Sequence, residues 1–186
     1  KGKSGSGKST LVDLLVKLQE PNSGEIIIAN ESLKNLDPTN FRKKVAYVSQ
    51  EVLLFNDSIY ENIKSVKSDL TEKEFEKYSK LTLCDEFIKN LKGGKNFIVG
   101  DRGLNLSGGQ RQRIGILRSI INNPDIIILD ESTNALDKKV SDQLLKNLFS
   151  YFRDSTIIFI THANTSEILF DKTINLDDIK KNNAKI

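Results

Sequence analysis

Apolar positions in this chain follow two rhythms. Behind a glycine-rich opening, Leu11, Leu14, Leu15 and Leu18 recur at three- and four-residue spacing, which predicts a helix with one apolar stripe. The turn cluster Pro21-Asn22-Ser23-Gly24 stops it. Residues 25–28 and Val45–Val48 are short and rich in β-branched or aromatic side chains, which predicts strands, with a polar, helix-capable stretch around Thr39 between them. From about residue 70 to residue 91, Glu and Lys surround Phe75, Leu81, Leu83 and Phe87, the pattern of two helices in a separate lobe that ends near Gly93-Gly94. Another helix is expected to start at Gly108, pass through Ile114, Leu117, Arg118 and Ile121, and end before Pro124. Ile126-Ile127-Ile128-Leu129 and Thr156–Ile160 are unbroken apolar runs, as in strands buried on both faces of a parallel sheet. Between them a helix from about Asp137 carries Val140, Leu144, Leu145 and Leu148 on one side. Strands alternating with helices predict an α/β fold, with a largely parallel sheet and a helical subdomain. There is no internal repeat, and the Lys- and Asn-rich tail after Asp177 is expected to fray.

Composition narrows the class. A chain of 186 residues suits one domain, and 38% hydrophobic with 28% charged residues is the balance of a folded globular protein. The net charge of +3 arises from 28 basic and 25 acidic residues spread along the chain. No dense basic face marks a nucleic-acid partner, and Lys43-Lys44 and Lys180-Lys181 read as solvated pairs. Cys84 is the only cysteine, so an intrachain disulfide is impossible and a reducing, cytosolic setting fits. The apolar runs fall far short of the ~20 residues a membrane-spanning helix needs. The first motif begins at Gly2, so the expectation is a chain cut at its N-terminus, lacking the strand that should lead into that motif.

Gly2-Lys3-Ser4-Gly5-Ser6-Gly7-Lys8-Ser9 fits the eight-position phosphate-binding loop. Glycines let backbone N–H groups close around phosphates, and the helix that begins behind the loop, with Thr10 in its first turn, adds its positive end. Lys8 would reach the β- and γ-phosphates of a nucleotide, and the Ser9 hydroxyl would ligate Mg²⁺. A flexible linker needs no Lys-Ser-Thr leading into an apolar helix. Asp130 ends the apolar strand and so stands at the carboxyl edge of a sheet, where open α/β folds bind ligands. It is the candidate partner of the magnesium ion. Glu131, next to it, could orient and deprotonate an attacking water.

Beside these motifs, Leu106-Ser107-Gly108-Gly109-Gln110 resembles the signature motif of ATP-binding cassette (ABC) ATPases. The resemblance covers essentially the whole chain except its tail. It implies a P-loop core of about residues 1–50 and 122–186, and a helical subdomain of about 51–121 carrying the signature motif. It also implies a head-to-tail dimer with a second nucleotide-binding domain, each signature motif closing over ATP held by the other's loop. Ser107, Gly108, Gly109 and Gln110 at a helix start make physical sense as that second anion cradle. Gln50 matches the family's Q-loop glutamine, which touches Mg²⁺ or water. Asn134-Ala135-Leu136-Asp137 resembles the D-loop, and His162, the only histidine, matches the switch histidine that contacts the γ-phosphate.

Val99-Gly100-Asp101-Arg102-Gly103 resembles the X-loop of exporters, and the stretch from Leu54 to Ile63 is similar to the one that follows the Q-loop there. What this implies is the ATP-hydrolysing motor of a membrane exporter, fused behind a transmembrane domain at the cytoplasmic face of the inner membrane, the fragment itself being soluble. Its cargo could be a lipid, a lipid-linked oligosaccharide or a peptide. The rival is a soluble ABC ATPase acting on DNA or the ribosome, against which the spacing of Lys8 and Ser107 leaves no room for a long coiled coil. Three features depart from the family pattern. Asn134 stands where serine is usual, Lys3 is an unusual loop filler, and the aromatic residue that stacks on adenine lies outside this sequence. ATP rather than GTP is therefore what the resemblance implies, and weak or no activity is expected of these residues alone.

Overall fold

Strand β4 (Ile126–Asp130) organises the molecule, pairing in parallel with β3 (Val45–Val48) on one side and β5 (Thr156–Ile160) on the other. The computed structural model describes residues 1–3, 5–161 and 170–178. Val45 is in register with Ile126 and Asp130 with Ile160, so all three strands point their carboxyl ends the same way. Ile127, Ile128 and Leu129 have no exposure at all, as their unbroken apolar run requires.

Alternation along the strands divides the core in two. Ala46, Val48, Ile127 and Leu129 face one cluster, packed with Ile114, Ile116, Leu117 and Ile120 of helix α6 (Gly108–Ile120) and with Leu144, Leu145 and Leu148 of α7 (Lys138–Tyr151). Val45, Ile126, Ile128 and Ile160 face a smaller cluster with Val12 and Val16, on and just behind helix α1 (Lys8–Leu15). Each fully buried Leu, Ile or Val among them contributes about 1.5–3 kcal/mol by leaving water. Helix α1 therefore meets the sheet through Val12 and Val16, four residues apart, with Leu15 of the expected leucine stripe packed beside them. Leu11 and Leu18 are 40% and 59% exposed. The helix also ends sooner than the stripe, because Lys17 turns into the left-handed region at φ 59°. Its ammonium there gathers the carbonyls of Leu33, Lys34 and Leu36.

The strand expected over 25–28 shrinks to β1 (Ile27–Ile28), which forms a two-residue hairpin with β2 (Glu31–Ser32). Ala29 and Asn30 both take positive φ, 51° and 65°, as a type I′ turn requires. Helix α2 (Pro38–Lys43) is the helix-capable stretch around Thr39; Asp37 caps it and Pro38 presets its first turn.

Residues 59–88 hold α4 (Glu72–Leu81) and α5 (Asp85–Ile88), the two expected helices, together with α3 (Ile59–Lys64), which had no clear period in the sequence. Six residues are too few to display one. What makes α3 is its cap, the Ser58 hydroxyl accepting from the Glu61 N–H, and the burial of Ile59, Asn62 and Ile63. Thr71 and Glu74 form a reciprocal capping box on α4, as Ser107 and Gln110 do on α6. Cys84 is buried and free. Among the described residues no helix is long and apolar enough to cross a membrane.

Candidate functional site

The glycine-rich opening forms a tight loop ahead of α1. Gly5 and Gly7 sit at φ 75° and 97°, where a side chain is strained, and their outer sides are open. A Cβ on Gly2 would lie 2.5 Å from the Ser6 hydroxyl, so a larger residue there would push the Ser6 side chain aside. The Ser6 N–H donates to the Lys3 carbonyl at 3.1 Å and closes the turn. Gly7 then leads into α1 with no side chain capping the first N–H groups of that helix, which leaves them to an anion. The Lys8 ammonium donates to the carbonyls of Gly2 and Lys3, both at 2.9 Å, and so lies folded over the loop. The Ser6 hydroxyl is buried without a hydrogen-bond partner. An orphaned hydroxyl, left-handed glycines and a lysine over the mouth suit a phosphate group. The loop is tethered at its base: the Lys1 amine donates to Ile174, Leu176 to the Lys1 carbonyl, and the Lys3 N–H to Asp177.

Asp130 arrives from β4 on the same sheet face as Ile128 and Tyr47, the face covered by α1. The Tyr47 hydroxyl donates to Asp130 at 3.4 Å. Burial, and then the carboxylates of Asp130 and Asp13, push the Tyr47 phenol above its ordinary pKa, and Asp13 belongs to α1. The carboxylate is thus directed to the side of the sheet where the glycine-rich loop begins its helix.

Glu131 follows with φ 49°, its N–H donating to the carbonyl of Ile160 on β5. The chain then turns so that the Asn134 N–H donates to the Glu131 carbonyl at 3.1 Å, and the Asn134 side-chain amide to the Glu131 carboxylate at 3.0 Å. Gln50, two residues past β3, is exposed and lines a cavity of about 300 Å³ shared with Gly108, Gln112 and Ala135. Parallel pairing alone brings Gln50, Asp130-Glu131 and Thr161 to one edge. Ser9 and Thr10 are exposed in the first turn of α1.

The Ser107 segment caps α6, with Gln110 donating to Ser107 Oγ at 3.2 Å and returning a side-chain oxygen to the Ser107 N–H. Gly108 and Gly109 lie against Ala135; a Cβ on Gly109 would be 3.0 Å from the Ala135 carbonyl. Gln112, 6% exposed, accepts the Ala135 N–H at 3.1 Å. Within one chain the two candidate cradles have different neighbours, residues 174–177 for the loop and 135–136 for the signature segment. Ser4 and His162 lie outside the described residues.

For a magnesium ion the candidate donors are the Ser9 hydroxyl, the Gln50 amide oxygen and the Asp130 carboxylate, all hard oxygens. No group of three or more His, Cys, Asp or Glu able to hold a metal occurs among the described residues. This donor set fits an ion that completes its shell with water and phosphate oxygens. Two contacts of the site were not legible in the sequence, those of Tyr47 and Gln112. The alternation of Val45–Val48 could have placed Tyr47 on the Asp130 face had the strand register been known; nothing in the sequence pointed Gln112 at Ala135.

Comparison with known proteins identifies the family. Residues 1–134 match the family described as ABC transporter. The chain is 40% identical over 179 residues to the ABC transporter ATM1 of Toxoplasma gondii, covering 96% of this chain and 16% of that protein. It is 41% identical over 161 residues to the alpha-hemolysin translocation ATP-binding protein HlyB of Escherichia coli O157:H7, covering 87% and 23%. It is 38% identical over 178 residues to the ATP-dependent lipid A-core flippase of Photobacterium profundum, covering 95% and 30%. A solved structure of a bacterial Atm1-family ABC exporter with ATP bound superimposes with a TM-score of 0.83 at 35% identity, covering 87% of this chain and 28% of that one. The chain thus spans less than a third of the length of each relative.

Proposed function

Because the chain belongs to the ABC transporter family and carries its ATP-binding ATPase fold, we propose that it is the motor domain of a membrane exporter, hydrolysing ATP to drive transport. The observation that carries this reading is the meeting of Gln50 and Asp130-Glu131 at one sheet edge, with Asp130 on the face of the Lys8 helix. In this reading residues 1–50 and 122–186 form the nucleotide-binding core, and 51–121 the lobe that carries the signature motif.

The Gly2–Ser9 loop and the N-terminus of α1 would receive the β- and γ-phosphates, Lys8 exchanging its loop carbonyls for phosphate oxygens. Ser9, Gln50 and Asp130 would hold Mg²⁺, which when bound neutralises charge on the β- and γ-oxygens. Glu131 orients a water in line with the γ-phosphate and accepts its proton, and ADP and phosphate leave. His162 would contact the γ-phosphate. Ser107 to Gln110, capped and packed against Ala135 rather than against the loop of their own chain, would close over ATP held by a second nucleotide-binding domain.

A fused transmembrane domain and a site at the cytoplasmic face of the membrane follow from the same reading, supported by the greater length of the relatives. The names of two of those relatives, one a hemolysin translocator and one a lipid A-core flippase, suit a peptide or lipid cargo. They favour this over an ABC ATPase acting on DNA or the ribosome. In the full-length protein, Glu131→Gln should bind ATP normally and lose nearly all turnover, measured by nucleotide binding and phosphate release. Hydrolysis at the unsubstituted rate would overturn the assignment.

A further inference from the structure

We propose that Asn134 is a positioning residue that holds the Glu131 carboxylate for its work on water. The proposal rests on the role given to Glu131 above. Three contacts carry it. The Asn134 amide donates to Glu131 Oε2 at 3.0 Å, a bond from a neutral donor to a charged acceptor. The Asn134 N–H closes a turn onto the Glu131 carbonyl at 3.1 Å, so both ends of Asn134 grip one residue. The next N–H, that of Ala135, is taken by the side chain of Gln112, which is buried in the helix that begins with the signature segment.

A free glutamate rotates about three side-chain bonds and samples many carboxylate positions. Here the carboxylate hangs from a backbone in the left-handed region, at φ 49°, and one of its oxygens is held by an amide whose own backbone is pinned to α6. Gln112 and Asn134 thus tie the setting of the carboxylate to the seat of the signature helix within a single chain. A serine at this position would have a shorter side chain. Asparagine reaches the carboxylate with an N–H that can only donate, whereas a hydroxyl can also accept. Asn134 itself is exposed, so replacing it removes the grip without opening the core.

The test uses the full-length protein with Asn134→Ala, Asn134→Asp and, as reference, Glu131→Gln, reading ATP binding, KM and kcat. Asn134→Ala should lower kcat about tenfold or more while KM stays within about twofold, because orientation rather than nucleotide binding is lost. Asn134→Asp keeps the shape but sets a carboxylate against a carboxylate, and should fall at least as far as alanine. A residue that only shaped the turn would tolerate the isostere. A kcat within about twofold of the unsubstituted protein for either variant, or a loss confined to KM, would overturn the proposal. Continued hydrolysis by Glu131→Gln would instead remove the premise on which it rests, so the two failures are distinguishable.

Discussion

Tyr47 and Asp130, 83 residues apart in sequence, meet because β3 and β4 run parallel with Tyr47 level with Ile128. Side chains two apart on a strand share a face, so Asp130 comes within reach of the phenol. The distance of 3.4 Å lies beyond the usual range for an O–H···O bond, which makes this an orienting contact of modest strength.

Tyr47→Phe keeps the ring and removes the hydroxyl. If Asp130 serves the metal, loss of its orienting partner should weaken Mg²⁺ binding by about threefold, below the loss typical of stronger outer contacts. Nucleotide binding without the metal should be unchanged. Titration of ATPase activity with Mg²⁺ reads the effect; an unaltered half-saturation point would separate Tyr47 from the metal site.

Gly115 lies mid-helix in α6, and a Cβ there would stand 2.6 Å from both methyl groups of Val52. Gly115→Ala should destabilise the protein by about 1 kcal/mol net, the overpacking exceeding the gain in helix propensity. In a Val52→Ala background the clash is gone, and the same substitution should become stabilising by up to ~1 kcal/mol. Urea unfolding of the four proteins checks the change of sign. Additive effects would show that Val52 and Gly115 do not compete for this space.

Glu74 closes the capping box of α4. Its pKa is lowered from 4.5 to about 2, first by the bond from the Thr71 backbone and then by bonds from Lys67 and the Thr71 hydroxyl. A carboxylate with a depressed folded pKa contributes stability that is full above 4.5 and is lost as pH falls toward 2. The difference in unfolding midpoint between the unsubstituted protein and Glu74→Gln should therefore be constant above pH 5 and shrink steadily below about 4.5. A difference independent of pH across that interval would mean that the charge on Glu74 plays no part in the cap.

What the sequence by itself determined was local. Glycines fit a loop that must turn through the left-handed region, as Gly5 and Gly7 do, and the apolar run Ile126–Leu129 fits a strand buried on both sides, whereas Thr156–Ile160, at the edge of the sheet among the described residues, is only partly buried. Caps such as Asp137 and Ser107 announced helix starts because the groups they bond are three residues away. The motifs that brought Lys8, Asp130 and Glu131 forward as candidates are of this kind, and they led to the family. Tertiary structure decided what depends on distant partners. Val12 and Val16, with Leu15 beside them, face the sheet while Leu11 and Leu18 do not, because the β4–β5 face seats that pair. Helix α3 forms because Ile59 and Ile63 find the larger core cluster, a reward no six-residue window displays. The contacts of Tyr47 with Asp130 and of Gln112 with Ala135 depend on register and helix placement. These arise only when strands far apart in sequence are brought side by side and their apolar faces leave water together.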